Sequence, residues 1–306
     1  MTWSRLFDEI GARKWVDVIN SVALRPPVNI DIADLSLSFE QNLSQELIGD
    51  EDRLNKVVSF PGKQMTHVRD TLLAIGKAYH VLACSQDSLR LGRFSWATID
   101  AHHASLLAVR AIVSLAGVVI CSHPPGYVLV DAYPESASQR NVKKSRRIDK
   151  NALSPIRLLR KKGQLIEQGE LWSLLNRILQ VVKFTDEKVD KARDLVVMNL
   201  GSHRPFRNRI IYDLNSWPFF HDLLSPSSPL TAHSGLVAEE DNSGIPDFNV
   251  AEKIFDLLGS MKADFFLHLG MNSPIGTSLF GGDEDVARPY FGSDSFLFKN
   301  CFRVVT

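Results

Sequence analysis

Trp96 to Val118 reads WATIDAHHASLLAVRAIVSLAGV, and the folding of this stretch decides the architecture. Trp96, Ile99, Leu106, Val109, Ile112, Val113 and Leu115 fall near helical spacing, so Ser95 to Ala116 is predicted to form a helix that is apolar around most of its girth. Such a helix needs neighbours on several sides and runs through a core. Gly117 ends it, because a residue without Cβ leaves the helical conformation at little cost.

Outward from this helix the pattern stays mostly helical. Upstream, Met65, Val68, Leu72, Leu73, Ile75, Tyr79 and Leu82 recur at three- and four-residue intervals and predict a helix over Gln64 to Ser85. Downstream, VVICS, HPPG and YVLVDAY read as strand, turn and strand, a short hairpin around Pro124 and Pro125. Helical periodicity returns over Leu165 to Phe184, Asp186 to Leu200 and Val250 to Leu269. A shorter helix is expected from Ser202 to just before Pro218, with Pro205 tolerated in its first turn. Ser4 to Ala23 also reads as a helix, stopped by Arg25-Pro26-Pro27, whereas residues 28 to 64 mix strand-like and helix-like patterns. Residues 223 to 249 are rich in Ser, Pro, Gly and acids and read as a long surface loop.

The predicted fold class is therefore mainly α, a helical bundle with a small β-hairpin insertion and an irregular C-terminal extension. Three parts follow from this reading. Residues 1–63 hold the N-terminal helix and the mixed segment, and residues 64–270 hold the bundle, interrupted at 117–163 by the hairpin and a basic insertion. Residues 271–306 form an irregular or β extension.

Composition excludes more than it identifies. The 306 residues are 44% hydrophobic and 23% charged, with 35 basic and 35 acidic side chains, so any pull toward nucleic acid is local. The opening MTWSRLFDEIGARKW carries Arg5, Asp8 and Glu9 where a secretion signal needs an apolar run. The most apolar stretch, Ala104 to Ile120, contains Arg110 and is shorter than the roughly 20 residues a membrane span requires. Cys84, Cys121 and Cys301 lie far apart without a Cys-x-x-Cys pair, which fits a cytoplasmic protein without a disulfide framework. No partnership with a membrane is predicted, and no phosphate-binding loop, dinucleotide fingerprint, nucleophile elbow or His-Glu-x-x-His motif is present.

Three small clusters read as structural. His102 and His103 are neighbours on a helix and diverge by about 100°, so they do not share a metal without outside ligands. Cys121 and His123 flank Ser122 with nothing nearby to lower the thiol pKa, and Asp283, Glu284 and Asp285 read as a solvated loop. No metal site is predicted.

Two features carry chemistry. Between Arg140 and Lys162 ten cations face the single Asp149, with Lys143, Lys144, Arg146 and Arg147 at their densest point. Such a run is either a solvated loop or a segment that attracts phosphate backbones in a salt-sensitive, sequence-tolerant way. The second feature is SHRPFRNRIIYDLNSWPF, Ser202 to Phe219. It sets Arg207 and Asn208, then three residues, then the aromatic Tyr212, on a short helix late in the bundle.

That arrangement resembles the motif of the HEPN superfamily, in which Arg, a polar residue, three variable residues and His open a helix of a four- or five-helix bundle. Trp96 to Val118, with its Ala108-Val109-Arg110-Ala111 step, is similar to the first long helix of that superfamily. The resemblance covers roughly residues 64 to 270. It implies a cytoplasmic RNA-directed protein, a toxin or a component of antiviral defence, with a metal-independent endoribonuclease site built from two subunits and needing no cofactor. Arg207 would bind phosphate, Asn208 and Tyr212 would orient it, and Arg204, Lys143, Lys144, Arg146 and Arg147 would hold the RNA substrate. The implied partners are RNA and either a second copy of the chain, as a homodimer, or another protein of a defence complex.

This chain departs from the pattern at one position. Tyr212 stands where His is expected, and a phenol with a pKa near 10 accepts a proton poorly at neutral pH. His203, four residues before Arg207 and so one turn ahead of it, is the imidazole that would stand in. Arg207 and Tyr212 also lie about 140° apart around one helix, so facing groups must come from elsewhere. Two readings stay open: an RNA-directed protein with a degenerate ribonuclease site, and a non-catalytic helical interaction module in a multiprotein complex.

Overall fold

Glycine opens the first long helix and follows the end of the second in the computed structural model, which describes residues 38–43, 53–91, 93–123, 126–134, 153–161, 168–181, 193–194 and 246–268. Along the chain these residues form α1 (Phe39–Asn42), β1 (Arg53–Pro61), α2 (Lys63–Arg90), α3 (Phe94–Leu115) and β2 (Val118–His123). β3 (Gly126–Asp131), β4 (Leu153–Lys161), α4 (Gln168–Val181) and α5 (Pro246–His268) follow. The described part is mainly helical with one small antiparallel sheet.

α2 and α3 form a long antiparallel hairpin because their buried positions alternate at three- and four-residue spacing. On α2 these are Val68, Thr71, Ile75, Ala78, Leu82 and Ser85; on α3 they are Ala97, Ala101, Ala104, Ala108, Ala111 and Leu115. Five of the six α3 positions are alanine, so little side-chain volume stands between the two helices on that side. Polar contacts pin both ends of the pair: Ser85 Oγ donates to Ala97 O at 2.7 Å, and the Thr71 and Ser114 hydroxyls are 2.8 Å apart.

The expectation that Ser95 to Ala116 runs through the core describes α3, which packs against α2, α4 and α5. α5 brings Ala251, Ile254, Phe255, Leu258, Met261 and Phe265 to this core. Phe255 meets the Tyr79 ring of α2 edge-on at 5.0 Å between centroids, so α5 touches both members of the hairpin. It begins at Pro246, four residues before the predicted start, with proline at a first-turn position where its missing N–H costs nothing.

The sheet differs from the predicted hairpin. β2 and β3 pair as expected, but β4 joins β3 and β1 joins β4, all antiparallel, giving the order β1-β4-β3-β2. β1 comes from the segment read as mixed, and β4 comes from the basic run. Their register places Val130 and Leu158 on one face and Leu129 and Leu159 on the other, and all four are buried. The two central strands are therefore covered on both sides.

Glycine geometry joins the two layers. Gly62, with φ 61°, turns β1 into α2, and Gly117, with φ 87°, turns α3 into β2. The Gly117 amide donates to Ser114 O at 2.8 Å while its carbonyl accepts from Ala132 N at 2.9 Å, tying the end of α3 to the exit of β3. Near the chain's other entry, Ser38 and Gln41 form a reciprocal cap on α1. The amide of Phe39 donates to Asp70 Oδ2 at 2.9 Å, and its ring sits 5.0 Å from that of Phe60.

Candidate functional site

The residues singled out from the motif, Arg204, Arg207, Asn208 and Tyr212, lie outside the described residues, as do Lys143, Lys144, Arg146 and Arg147. The expected N-terminal helix, the motif helix and the C-terminal extension lie outside them too, and the helix over Asp186 to Leu200 is described only at 193–194. Other candidates have definite places. His102 is buried and His103 exposed, with ring centroids 6.1 Å apart, in keeping with two neighbours diverging on one helix. Cys121 is buried, and burial pushes its thiol well above the ordinary range, so it is a poor nucleophile. Arg110 donates from Nη2 to Ile120 O at 3.1 Å, bracing α3 against β2. Among the described residues no group of three or more His, Cys, Asp or Glu side chains is placed to hold a metal ion. None of their helices is long and apolar enough to cross a membrane.

One member of the basic run needs correction. Arg157 is not a solvated cation: its residue is 8% exposed, and its Nε and Nη2 donate to Asp131 Oδ2 at 3.2 and 2.8 Å. β4 carries it into the sheet directly opposite Asp131 of β3. A charge count along the sequence does not register such a pair, because the partners are 26 residues apart.

Asp131 opens a polar cluster that joins the sheet to α2 and α3. Its Oδ1 accepts from the Tyr133 amide at 3.0 Å, which turns the chain sharply as it leaves β3. The Tyr133 side chain then reaches His67 of α2, with its hydroxyl 3.2 Å from Nδ1. The other ring nitrogen, Nε2, lies 2.6 Å from Ser114 O. A carbonyl only accepts, so Nε2 carries the proton, Nδ1 is the acceptor, and the Tyr133 hydroxyl donates to it. Lys63, one turn before His67, donates to Pro155 O at 2.9 Å and holds its ammonium 5.1 Å from the centre of the Tyr133 ring.

The electrostatics follow from this burial. His67 is fully enclosed, and desolvation lowers its pKa to about 4, a fall that the Ser114 hydrogen bond opposes and the Lys63 charge reinforces. Burial pushes the Tyr133 phenol up, with the Asp131 carboxylate adding to the effect. At neutral pH the pair is thus a neutral imidazole and a neutral phenol, each with its partner fixed. With both ring nitrogens engaged and no exposed surface, His67 positions structure; it does not stand ready to accept a proton from a substrate.

The cluster was not visible in the sequence, because Lys63, His67, Ser114, Asp131 and Arg157 come from four elements and Tyr133 from the exit of β3. The one available signal was His67 and Thr71, two polar residues on adjacent turns among the apolar positions Val68, Leu72 and Ile75. The chain matches no protein-family model, no curated protein and no solved structure.

Proposed function

We propose that this chain is an RNA-directed protein of HEPN-like build whose metal-independent ribonuclease site is degenerate. The observation that supports the reading is the position of α3, packed by α2, α4 and α5 in a helical core. This is the setting in which the Arg207-Asn208 motif would work. Arg207 holds phosphate oxygens through its planar fork, Asn208 and Tyr212 orient the phosphate, and Lys143, Lys144, Arg146 and Arg147 recruit the RNA backbone. A second copy of the chain, bringing its own Arg207 across a two-fold axis, supplies the facing groups.

Cleavage by the isolated protein is expected to be weak or undetectable, since a phenol donates to phosphate but does not take the 2′-hydroxyl proton at neutral pH. Tyr212→His should raise metal-independent cleavage, measured on labelled single-stranded RNA in the presence of chelator. Arg207→Ala in that background should abolish the gain, a loss of about a hundredfold or more by analogy with removal of other preorganised charge-stabilising donors. Robust wild-type cleavage that disappears in Tyr212→Phe would overturn the view that the tyrosine disables the site. The tyrosine at 212 also favours a second reading, a non-catalytic interaction module that kept the bundle and lost the chemistry. Inactivity of both the wild type and Tyr212→His, with RNA binding absent and the fold intact by circular dichroism, would select it.

A further inference from the structure

We propose that His67 is an acid-sensitive latch: its two ring nitrogens join the exit of β3 to α2 and α3, and when the ring takes up a second proton it lets go of Tyr133. The geometry makes the joint all-or-none. Nε2 donates to Ser114 O, which also accepts from the Gly117 amide, and Nδ1 accepts from the Tyr133 hydroxyl. A proton on Nδ1 sets two donors against each other across the 3.2 Å gap.

The surroundings leave that second charge poorly compensated. From α2, Lys63 faces the same ring of Tyr133, and Thr71 contributes only a hydroxyl shared with Ser114 of α3. From β3 and its exit come Asp131 and Tyr133, and Asp131 is already committed to Arg157 of β4 and to the Tyr133 amide. From α5, Phe265 presents its ring edge-on at 6.2 Å between centroids. The charged groups described around the joint are therefore two cations and one carboxylate, the carboxylate being ion-paired.

The sign of the pH effect follows. In the closed form the ring resists protonation until about pH 4, whereas a released histidine takes its proton near 6.5. Between those values the released form binds more protons, so acid favours release, by up to about tenfold for each pH unit. Above the upper value the latch is closed and pH has no hold on it. The segment set free is the exit of β3, Asp131 to Tyr133, which α3 also holds through the Gly117 carbonyl and the Ala132 amide.

Hydrogen exchange followed residue by residue on the full chain tests the latch. Between about pH 6.5 and pH 4.5, protection corrected for intrinsic rates should fall about tenfold per unit at the Ala132 and Tyr133 amides and stay level in the middle of α2 and α3. His67→Gln keeps a donor toward Ser114 O without titrating, so its profile at the Ala132 and Tyr133 amides should be flat. Tyr133→Phe removes the donor that the second proton displaces, so its fall in protection should be smaller and level off at a higher pH. Ring nitrogen shifts of His67 in the wild type give a reading that needs no variant: at neutral pH the proton must sit on Nε2. The latch is overturned by a proton on Nδ1, by wild-type protection at the Ala132 and Tyr133 amides that ignores pH, by loss of protection everywhere at once, or by an unchanged step in His67→Gln.

Discussion

Asp131→Ala is expected to destabilise the protein by about 3–5 kcal/mol, the cost typical of removing one partner from a buried ion pair. Asp131 is fully buried, and its two oxygens accept from Arg157 Nε, Arg157 Nη2 and the Tyr133 amide. Alanine takes the Asp131 carboxylate away from an Arg157 side chain that is only 10% exposed and frees the turn that aims Tyr133 at His67. Most of the loss comes from the orphaned charge, not from the pair's own net attraction. Replacing both partners, as in Asp131→Val with Arg157→Met, should therefore recover much of the stability. Urea unfolding midpoints at unchanged slope give the measurement. A loss under about 1 kcal/mol in Asp131→Ala would show that Arg157 reaches water or another acceptor.

Phe255→Ala should cost a similar amount, about 3–5 kcal/mol, through lost burial and the cavity left behind. The ring is fully buried where α5 meets Tyr79 of α2, and Tyr79 also carries Lys262 of α5 over its ring at 5.0 Å. The cavity would open between helices that are rigidly paired, which limits collapse into it. Phe255→Leu, closer in volume, should lose about half as much or less. If thermal and chemical unfolding of Phe255→Ala match the wild type, α5 is not an integral part of the bundle.

These two sites also show what the sequence makes legible. The helices α2 and α3 were plain because their buried residues recur at helical spacing over many turns, from Val68 to Leu82 and from Ala97 to Leu115. Phe255 does not stand out in the same way: Ile254, Leu257, Leu258, Met261 and Phe265 already make one apolar face by spacing, whereas α5 is buried over a wider arc that includes Phe255. The hairpin of β2 and β3 was legible from two β-branched runs around a proline turn.

β4 was not legible, for two physical reasons. Leu153 to Lys161 contains Arg157, Arg160 and Lys161, and only the cross-strand Asp131 makes Arg157 an interior residue. It also contains Pro155, which argues against a central strand. The register resolves this: β4 pairs with β3 only from Arg157 to Arg160, so Pro155, opposite Ser59 of β1, lies beyond the span that β3 covers. β1 escaped because Arg53 and Lys56 interrupt it and Val57 remains 57% exposed at the sheet edge. Of the predicted site, the eight motif and basic-segment residues lie outside the described part. The polar cluster around His67 is held by contacts between residues up to 92 apart, such as Lys63 and Pro155, and no local pattern encodes these.

RNA affinity of the full chain as a function of salt is the most direct test of the proposed function. Fluorescence anisotropy with a labelled single-stranded RNA should show binding at about 50 mM salt that weakens steeply by about 200 mM, because each phosphate contact releases condensed counterions. Replacing Lys143, Lys144, Arg146 and Arg147 with Ser should weaken binding and flatten the salt dependence by up to about 0.7 in slope for each contact removed. No binding at the lowest salt, or binding that ignores both salt and the four replacements, would contradict an RNA-directed role.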